Sequence, residues 1–150
     1  MQKVWAVKKG FTIVELLVAI VVIGILITIT IASYTSIQAR ARDSERDSDI
    51  TQVKIALEKY HAEKSMYPAA CVDDDTVCTI SALAIELQPY IKVIPHDPRY
   101  VSGSVDDYSY VRSDTSYDGY AIKVKYESRP ECKTGENIDT TWWSSAIPSC

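Results

Sequence analysis

KKGFTIVELLVAIVVIGILITITIA, residues 8–32, decides the architecture. Two lysines and a glycine stand before an apolar run that is uninterrupted from Leu16 to Ile27. From Phe11 to Ala32 there are 22 residues and one charge, Glu15. A helix rises about 1.5 Å per residue, so this segment reaches about 33 Å, enough to cross the hydrocarbon core of a bilayer. Residues 1–10 carry Lys3, Lys8 and Lys9 and no acid, which favors a cytoplasmic position for that end. Arg40, Arg42 and Arg46 on the other side weaken this preference. The cysteines decide it: Cys71, Cys78, Cys132 and Cys150 all follow the run and suit an oxidizing space.

An ordinary secretory signal places its small-residue cleavage site after the apolar region. Here the small residue, Gly10, comes first, and Ile31, Ala32 and Ser33 lead straight into more helix-compatible sequence. Cleavage after Gly10 would leave the apolar helix on the mature chain. Lys8-Lys9-Gly10-Phe11-Thr12-Ile13-Val14-Glu15-Leu16 resembles the prepilin cleavage motif of the type IV pilin and type II secretion pseudopilin superfamily: basic residues, Gly, Phe, then Glu at the fifth mature position. The resemblance implies a prepilin peptidase that cuts between Gly10 and Phe11 and methylates Phe11. Losing three of the 16 bases leaves 13 against 20 acids, a net charge of -7.

Glu15 needs an explanation, since a carboxylate in a membrane helix costs about 2.5–3.5 kcal/mol at the bilayer center and less toward its edge. The bland alternative is a Glu that snorkels or protonates near the interface. The cut itself supplies a cation, the new amine of Phe11. The resemblance implies that this amine on an incoming subunit pairs with Glu15 of one already assembled and so sets the axial register.

Beyond the run, no Pro occurs before Pro68, and no Gly between Gly24 and Gly103. Phe11–Met66 is therefore expected to form one helix of about 84 Å. Many pilins loosen near the position of Gly24 and carry a Pro eight residues later; Ala32 stands there instead. Gln38–Asp49 (QARARDSERDSD) is polar on every side, with Arg42/Glu45, Asp43/Arg46 and Arg46/Asp49 at helical spacing. Such pairs add about 0.2–0.5 kcal/mol each and predict a solvated helical neck. Ile50, Val53, Leu57 and Tyr60 then form an apolar stripe for packing against a C-terminal domain. The stripe is too short to favor a coiled-coil dimer.

Tyr67-Pro68 ends the helix. A loop with Cys71, Asp73–Asp75 and Cys78 follows, then a short helix over Ile80–Gln88 stopped by Pro89. Ile94-Pro95-His96-Asp97-Pro98 resembles a segment of the major pseudopilins, which continue with Trp-Gly where this chain has Arg99-Tyr100. Tyr108–Arg112 and Tyr120–Glu127 read as strands joined by a Ser113–Gly119 hairpin. In the second strand, Tyr120, Ile122, Val124 and Tyr126 alternate with Ala121, Lys123, Lys125 and Glu127. A last strand is expected near Thr140–Trp143. Three cysteine pairings are possible; Cys71–Cys78 with Cys132–Cys150 is preferred because each closes a local loop. A Cys-bracketed C-terminal loop resembles that of many type IV pilins.

Asp114, Ser116 and Asp118 match the opening of a calcium loop, D-x-S-x-D-G, but Lys125 stands where its twelfth-position acid belongs. A polar turn with Asp118-Gly119 at the bend is the alternative. Major pseudopilins bind calcium in C-terminal loops, so the resemblance leaves calcium open. A zinc set of His61, Cys71, Cys78 and His96 has too wide a Cys spacing, and two disulfides explain the thiols more simply. With two histidines and no G-x-S-x-G, H-E-x-x-H or glycine-rich phosphate loop, nothing assembles a nucleophile and base. Trp142, Trp143 and the tyrosines suit either an adhesive surface or the packing of a small domain. A net charge of -4 speaks against general nucleic-acid binding.

The expected fold is α+β, a long N-terminal helix packed on a small antiparallel sheet. Its parts are a leader (1–10), a membrane and fiber-core helix (11–32), a continuation of that helix (33–66) and a small α+β region (67–150). The resemblance implies a non-enzymatic filament subunit, either a pilus or a secretion pseudopilus. Its partners would be other copies, related minor subunits, the peptidase, a membrane assembly platform and the lipid bilayer. It would sit in the cytoplasmic membrane as a single pass, N-terminus inward, before entering the fiber. The alternative is a membrane-anchored extracytoplasmic binding protein that never polymerizes.

Overall fold

The computed structural model describes residues 10–69, 77–102, 107–113, 118–139, 142–143 and 146–150. Helix α1 spans Ile13–Lys64, 52 residues, two residues inside each expected end. The chain divides into two compact units, Met1–Gln38 and Ala39–Cys150.

In the first unit, the described side chains of α1 are all exposed. Ile13, Leu16, Ile20, Leu26 and Ile31 are each more than half exposed. By length and composition this is a helix that can cross a membrane. Two of its hydroxyls are satisfied internally: Thr28 donates to the Ile25 carbonyl at 2.7 Å and Thr30 to the Leu26 carbonyl at 2.8 Å. That removes two donors that lipid could not satisfy.

In the second unit, the apolar stripe of α1 meets a four-stranded antiparallel sheet. The strands are β1 (Cys78–Thr79), β2 (Ser109–Arg112), β3 (Tyr120–Val124) and β4 (Cys132–Glu136), paired in that order. Ile50, Val53 and Leu57 of α1 pack with Tyr110, Tyr120, Ile122 and Val124, and Tyr60 sits at the edge of this core. The expected short helix is a 3-10 turn, Ile80–Leu83, running into α2, Ala84–Leu87; Ile80, Leu83 and Leu87 close the core.

Three expectations change. The second expected strand stops at Val124, because residues 127–128 turn toward α1 and donate their amides to Asp43. Its outer face is also covered: Ala121 is fully buried with Val111 under Trp142. The last strand is Cys132–Glu136 rather than Thr140–Trp143. Thr140 and Thr141 lie outside the described residues, and Trp142 and Trp143 form a turn. The β3–β4 contact requires Gly135, which faces Ala121; a Cβ there would stand 2.0 Å from the Tyr120 carbonyl oxygen.

The Cys132–Cys150 disulfide is present. Beside it the Lys133 amide donates to the Pro148 carbonyl and the Cys150 amide to the Lys133 carbonyl. The buried Lys133 ammonium donates to the Trp142 carbonyl at 3.2 Å. Cys78 is also disulfide-bonded, while Cys71 lies outside the described residues.

Candidate assembly site

Gly10 and Phe11 precede α1, and Phe11 is 87% exposed. Thr12 occupies the N-cap. Its hydroxyl accepts from the Glu15 amide at 3.3 Å, while its own amide and hydroxyl donate to Glu15 Oε2 at 2.9 and 2.6 Å. Thr12-Ile13-Val14-Glu15 is thus a capping box, in which the first and fourth residues satisfy each other's open helix-end groups. The pattern of Thr, two residues and Glu before an apolar run announces this in the sequence, and the reading of Glu15 as a pairing group alone passed over it. The carboxylate therefore has a local role, holding the helix start next to the expected cut. Acid near a helix N-terminus also meets the positive end of the helix dipole.

The segment expected to be a solvated neck contains a buried ionic cluster instead. Asp43 and Arg46 are 5% and 2% exposed. Arg46 donates to Asp43 at 2.6 Å, to both oxygens of Asp97 at 2.7 and 3.0 Å, and to Glu127 at 3.1 Å. Arg42 grips Glu127 through two bonds of 2.7 and 2.6 Å. Asp43 in turn accepts from the Ser128 amide and hydroxyl and from the Glu127 amide. Burial opposes the Asp43 charge, yet these donors and Arg46 hold its carboxyl well below the usual range. Glu127 is held down to about 2, first by its hydrogen bond from Arg42 and then by Arg46. Of the three expected local pairs, only Asp43/Arg46 forms as such; Arg42 and Asp49 turn to partners in the C-terminal half.

Asp97, in the Ile94–Pro98 segment, is therefore a positioning residue for the loop it sits in. It also accepts the Arg99 amide at 2.8 Å, and its own amide donates to the enclosed Asp107. Other acids of α1 meet tyrosines. Tyr126 donates to Asp47 at 2.6 Å, Tyr108 to Asp49 at 2.9 Å, Tyr67 and Tyr120 to Glu58 at 3.1 and 3.4 Å, and Tyr90 to Glu63 at 2.5 Å. Arg129 pairs with Asp47 and lies 3.6 Å from the Tyr126 ring center.

The two histidines of the zinc set have separate partners. His61 stacks on Tyr67 with Nε2 3.4 Å from Asp118, and His96 stacks on Tyr100 with Nδ1 2.9 Å from Asp107. Of the calcium residues, Asp114 and Ser116 lie outside the described residues. The Asp118 carbonyl accepts from Asn137 at 3.0 Å, tying the hairpin end to the residue after β4.

The prokaryotic N-terminal methylation motif matches residues 5–31. Fimbrial protein EcpC of Eikenella corrodens is 38% identical over 63 residues, 42% of this chain and 41% of that protein. Type IV major pilin protein PilA of Myxococcus xanthus is 34% identical over 60 residues, 40% of this chain and 27% of that protein. Type II secretion system core protein G of Aeromonas hydrophila is 29% identical over 96 residues, 61% of this chain and 67% of that protein. The chain thus spans less than half the length of the two fimbrial relatives. No solved structure matches it. The methylation motif thus heads an exposed apolar helix, and the chain is similar over part of its length to type IV pilins and to a type II secretion core protein.

Proposed function

We propose that this chain is the subunit of a pilus-like or secretion-pseudopilus filament, made by cleavage after Gly10, methylation of Phe11 and polymerization through α1. The observation that carries the reading is the apolar stretch of α1, whose large side chains stand exposed and which begins at a capped Glu15 beside the expected cut. In lipid this surface is satisfied by acyl chains; in a fiber it is satisfied by the same stretch of other copies. The amine of an incoming Phe11 then meets Glu15 where water is scarce, so a missing partner is costly. The subunit performs no chemistry of its own. It waits in the cytoplasmic membrane with its N-terminus inward, is processed by a prepilin peptidase and is extracted by a membrane assembly platform, with related minor subunits in the same fiber.

The likeness to core protein G reaches further along the chain than the fimbrial ones and supports the secretion form. The Cys132–Cys150 closure supports the pilus form. Intact mass and N-terminal sequencing of the native membrane or sheared fraction test the reading. The expected chain begins at methylated Phe11. A chain beginning at Met1 in cells with an active prepilin peptidase, together with Glu15→Ala that behaves as wild type, would leave a monomeric anchored binding protein as the better account.

A further inference from the structure

β4 is the last strand of the sheet, and its outer edge is covered by residues 148–150 of the same chain. Ser149 stands against Lys133 in a parallel bridge. The Lys133 amide donates to the Pro148 carbonyl at 2.9 Å, and the Lys133 carbonyl accepts from the Cys150 amide at 3.0 Å. Pro148 has no N–H with which to lengthen this short ladder. Pro148, Ser149 and Cys150 are all exposed, so burial contributes little to holding them. Two hydrogen bonds to an exposed segment do not offset the entropy lost in ordering it. The Cys132–Cys150 bridge is what keeps the cover in place.

Uncovered, β4 would offer an edge of five residues, against two for β1 on the other side of the sheet. An open edge of backbone donors and acceptors recruits strands of other chains. Two copies of β4 laid antiparallel about Gly135 set Lys133 against Asn137 and Thr134 against Glu136, with no like charges opposed.

We propose that residues 148–150 are a redox-released cover: when the Cys132–Cys150 bridge is reduced they leave β4, which then pairs edge to edge with β4 of a second copy. The device is independent of the filament reading. Its opening is thiol–disulfide exchange with a dithiol. One thiolate of the dithiol attacks the exposed Cys150 sulfur and releases Cys132; the second displaces Cys150 and closes the reductant's own disulfide. Cys132 and Cys150 together gain two electrons and two protons, which the dithiol loses. In an oxidizing space the reverse exchange restores the cover and keeps copies apart at this edge.

The test uses the full chain in detergent micelles. Chains with Thr134→Cys are mixed with chains with Glu136→Cys under copper-phenanthroline, once with the native bridge and once with Cys132→Ser and Cys150→Ser. The expected product is a dimer linked from 134 to 136, formed in the opened background and absent with the bridge intact. Equal yields in the two backgrounds, no dimer in either, or linkage of 134 to 134 as strong as 134 to 136 overturns the proposal. Hydrogen exchange of the unsubstituted chain in dithiothreitol gives a second reading. The Lys133 amide should exchange fast in dilute samples and slowly in concentrated ones. The Thr134 amide, which faces β3 in the alternation of an antiparallel pair, should stay slow in both. A Lys133 amide that stays slow at every dilution would mean that the cover does not leave. One that stays fast at every concentration would mean that no second copy takes its place, and a Thr134 amide that becomes fast would mean that the sheet itself opens; each result overturns the proposal.

Discussion

Arg46 of α1 and Asp97 of the loop before β2 face each other through two hydrogen bonds, Nε to Oδ2 at 2.7 Å and Nη2 to Oδ1 at 3.0 Å. Removing the arginine leaves enclosed carboxylates short of a counter-charge, which costs more than the pair contributes. Arg46→Leu takes the cation from Asp43 and Asp97, while Glu127 keeps Arg42, so the folded second unit should lose about 3 kcal/mol. Thermal unfolding of the full chain in detergent, followed by near-ultraviolet circular dichroism, measures the loss. Asp97→Asn, which keeps one acceptor for Arg46, should fall between wild type and Arg46→Leu.

Acid should loosen the same cluster. Glu127 sits at about 2 in the folded chain against an ordinary value of 4.5, and Asp43 is lowered in the same sense. A depressed folded value means that the stabilization is complete above the unfolded value and is lost as pH falls through the folded one. Melting temperature should therefore hold from pH 7 to 5 and fall from about pH 4.5 toward pH 2. Glu127→Gln should start lower and show a shallower fall.

Alkali should act through the tyrosines. Burial first, and then the Asp47 carboxylate, pushes the Tyr126 phenol up to about 12. Tyr67, Tyr108 and Tyr120 are raised further, also chiefly by burial. A raised folded value gives stabilization that is complete below about pH 10, the unfolded value, and lost as pH rises through the folded one. Absorbance at the phenolate band should show these phenols ionizing only as the second unit unfolds, above pH 10. Early ionization of most of them in the folded chain would contradict the buried pairing.

Thr12→Val keeps the shape of the N-cap residue and removes its hydroxyl. Loss of a cap costs about 1 kcal/mol locally, so the first turn of α1 should fray while membrane insertion stays normal. Filament yield should drop, and Thr12→Ser should restore it. Equal yields from all three chains would show that the cap has no part in assembly.

Cys132 and Cys150 are 18 residues apart, and closing such a loop is worth about 3 kcal/mol in the chain-entropy account. Cys150→Ser should lower the stability of the second unit by that order and speed hydrogen exchange at the Lys133 and Cys150 amides, which lie beside the bridge.

The helix, its apolar stripe and the processing motif were legible because their signals are local and periodic. The buried cluster was not. The partners of Arg46 lie 51 and 81 residues away, and a neck of alternating charges reads the same whether water or another loop faces it. Asp97 was noticed as part of a recurring segment, but nothing in that segment names Arg46. The strand Cys132–Glu136 (CKTGE) lacks the alternation of an ordinary half-buried strand; its place comes from its pairing with β3, the close approach at Gly135 and the disulfide. The capping box was legible in principle, since Thr12 and Glu15 have the required spacing.

The phenol–carboxylate contacts along α1 also index the helix. An apolar stripe by itself is a smooth rail: moved along by one turn, it would still set aliphatic side chains against aliphatic side chains. The same slip would carry Asp47, Asp49, Glu58 and Glu63 about 5.4 Å from the hydroxyls of Tyr126, Tyr108, Tyr120 and Tyr90. Every notch would then miss at once, while a single mismatch could be absorbed by a rotamer change. The tyrosines thereby exclude the neighboring settings of helix on sheet, which hydrophobic burial alone would leave nearly equal in energy.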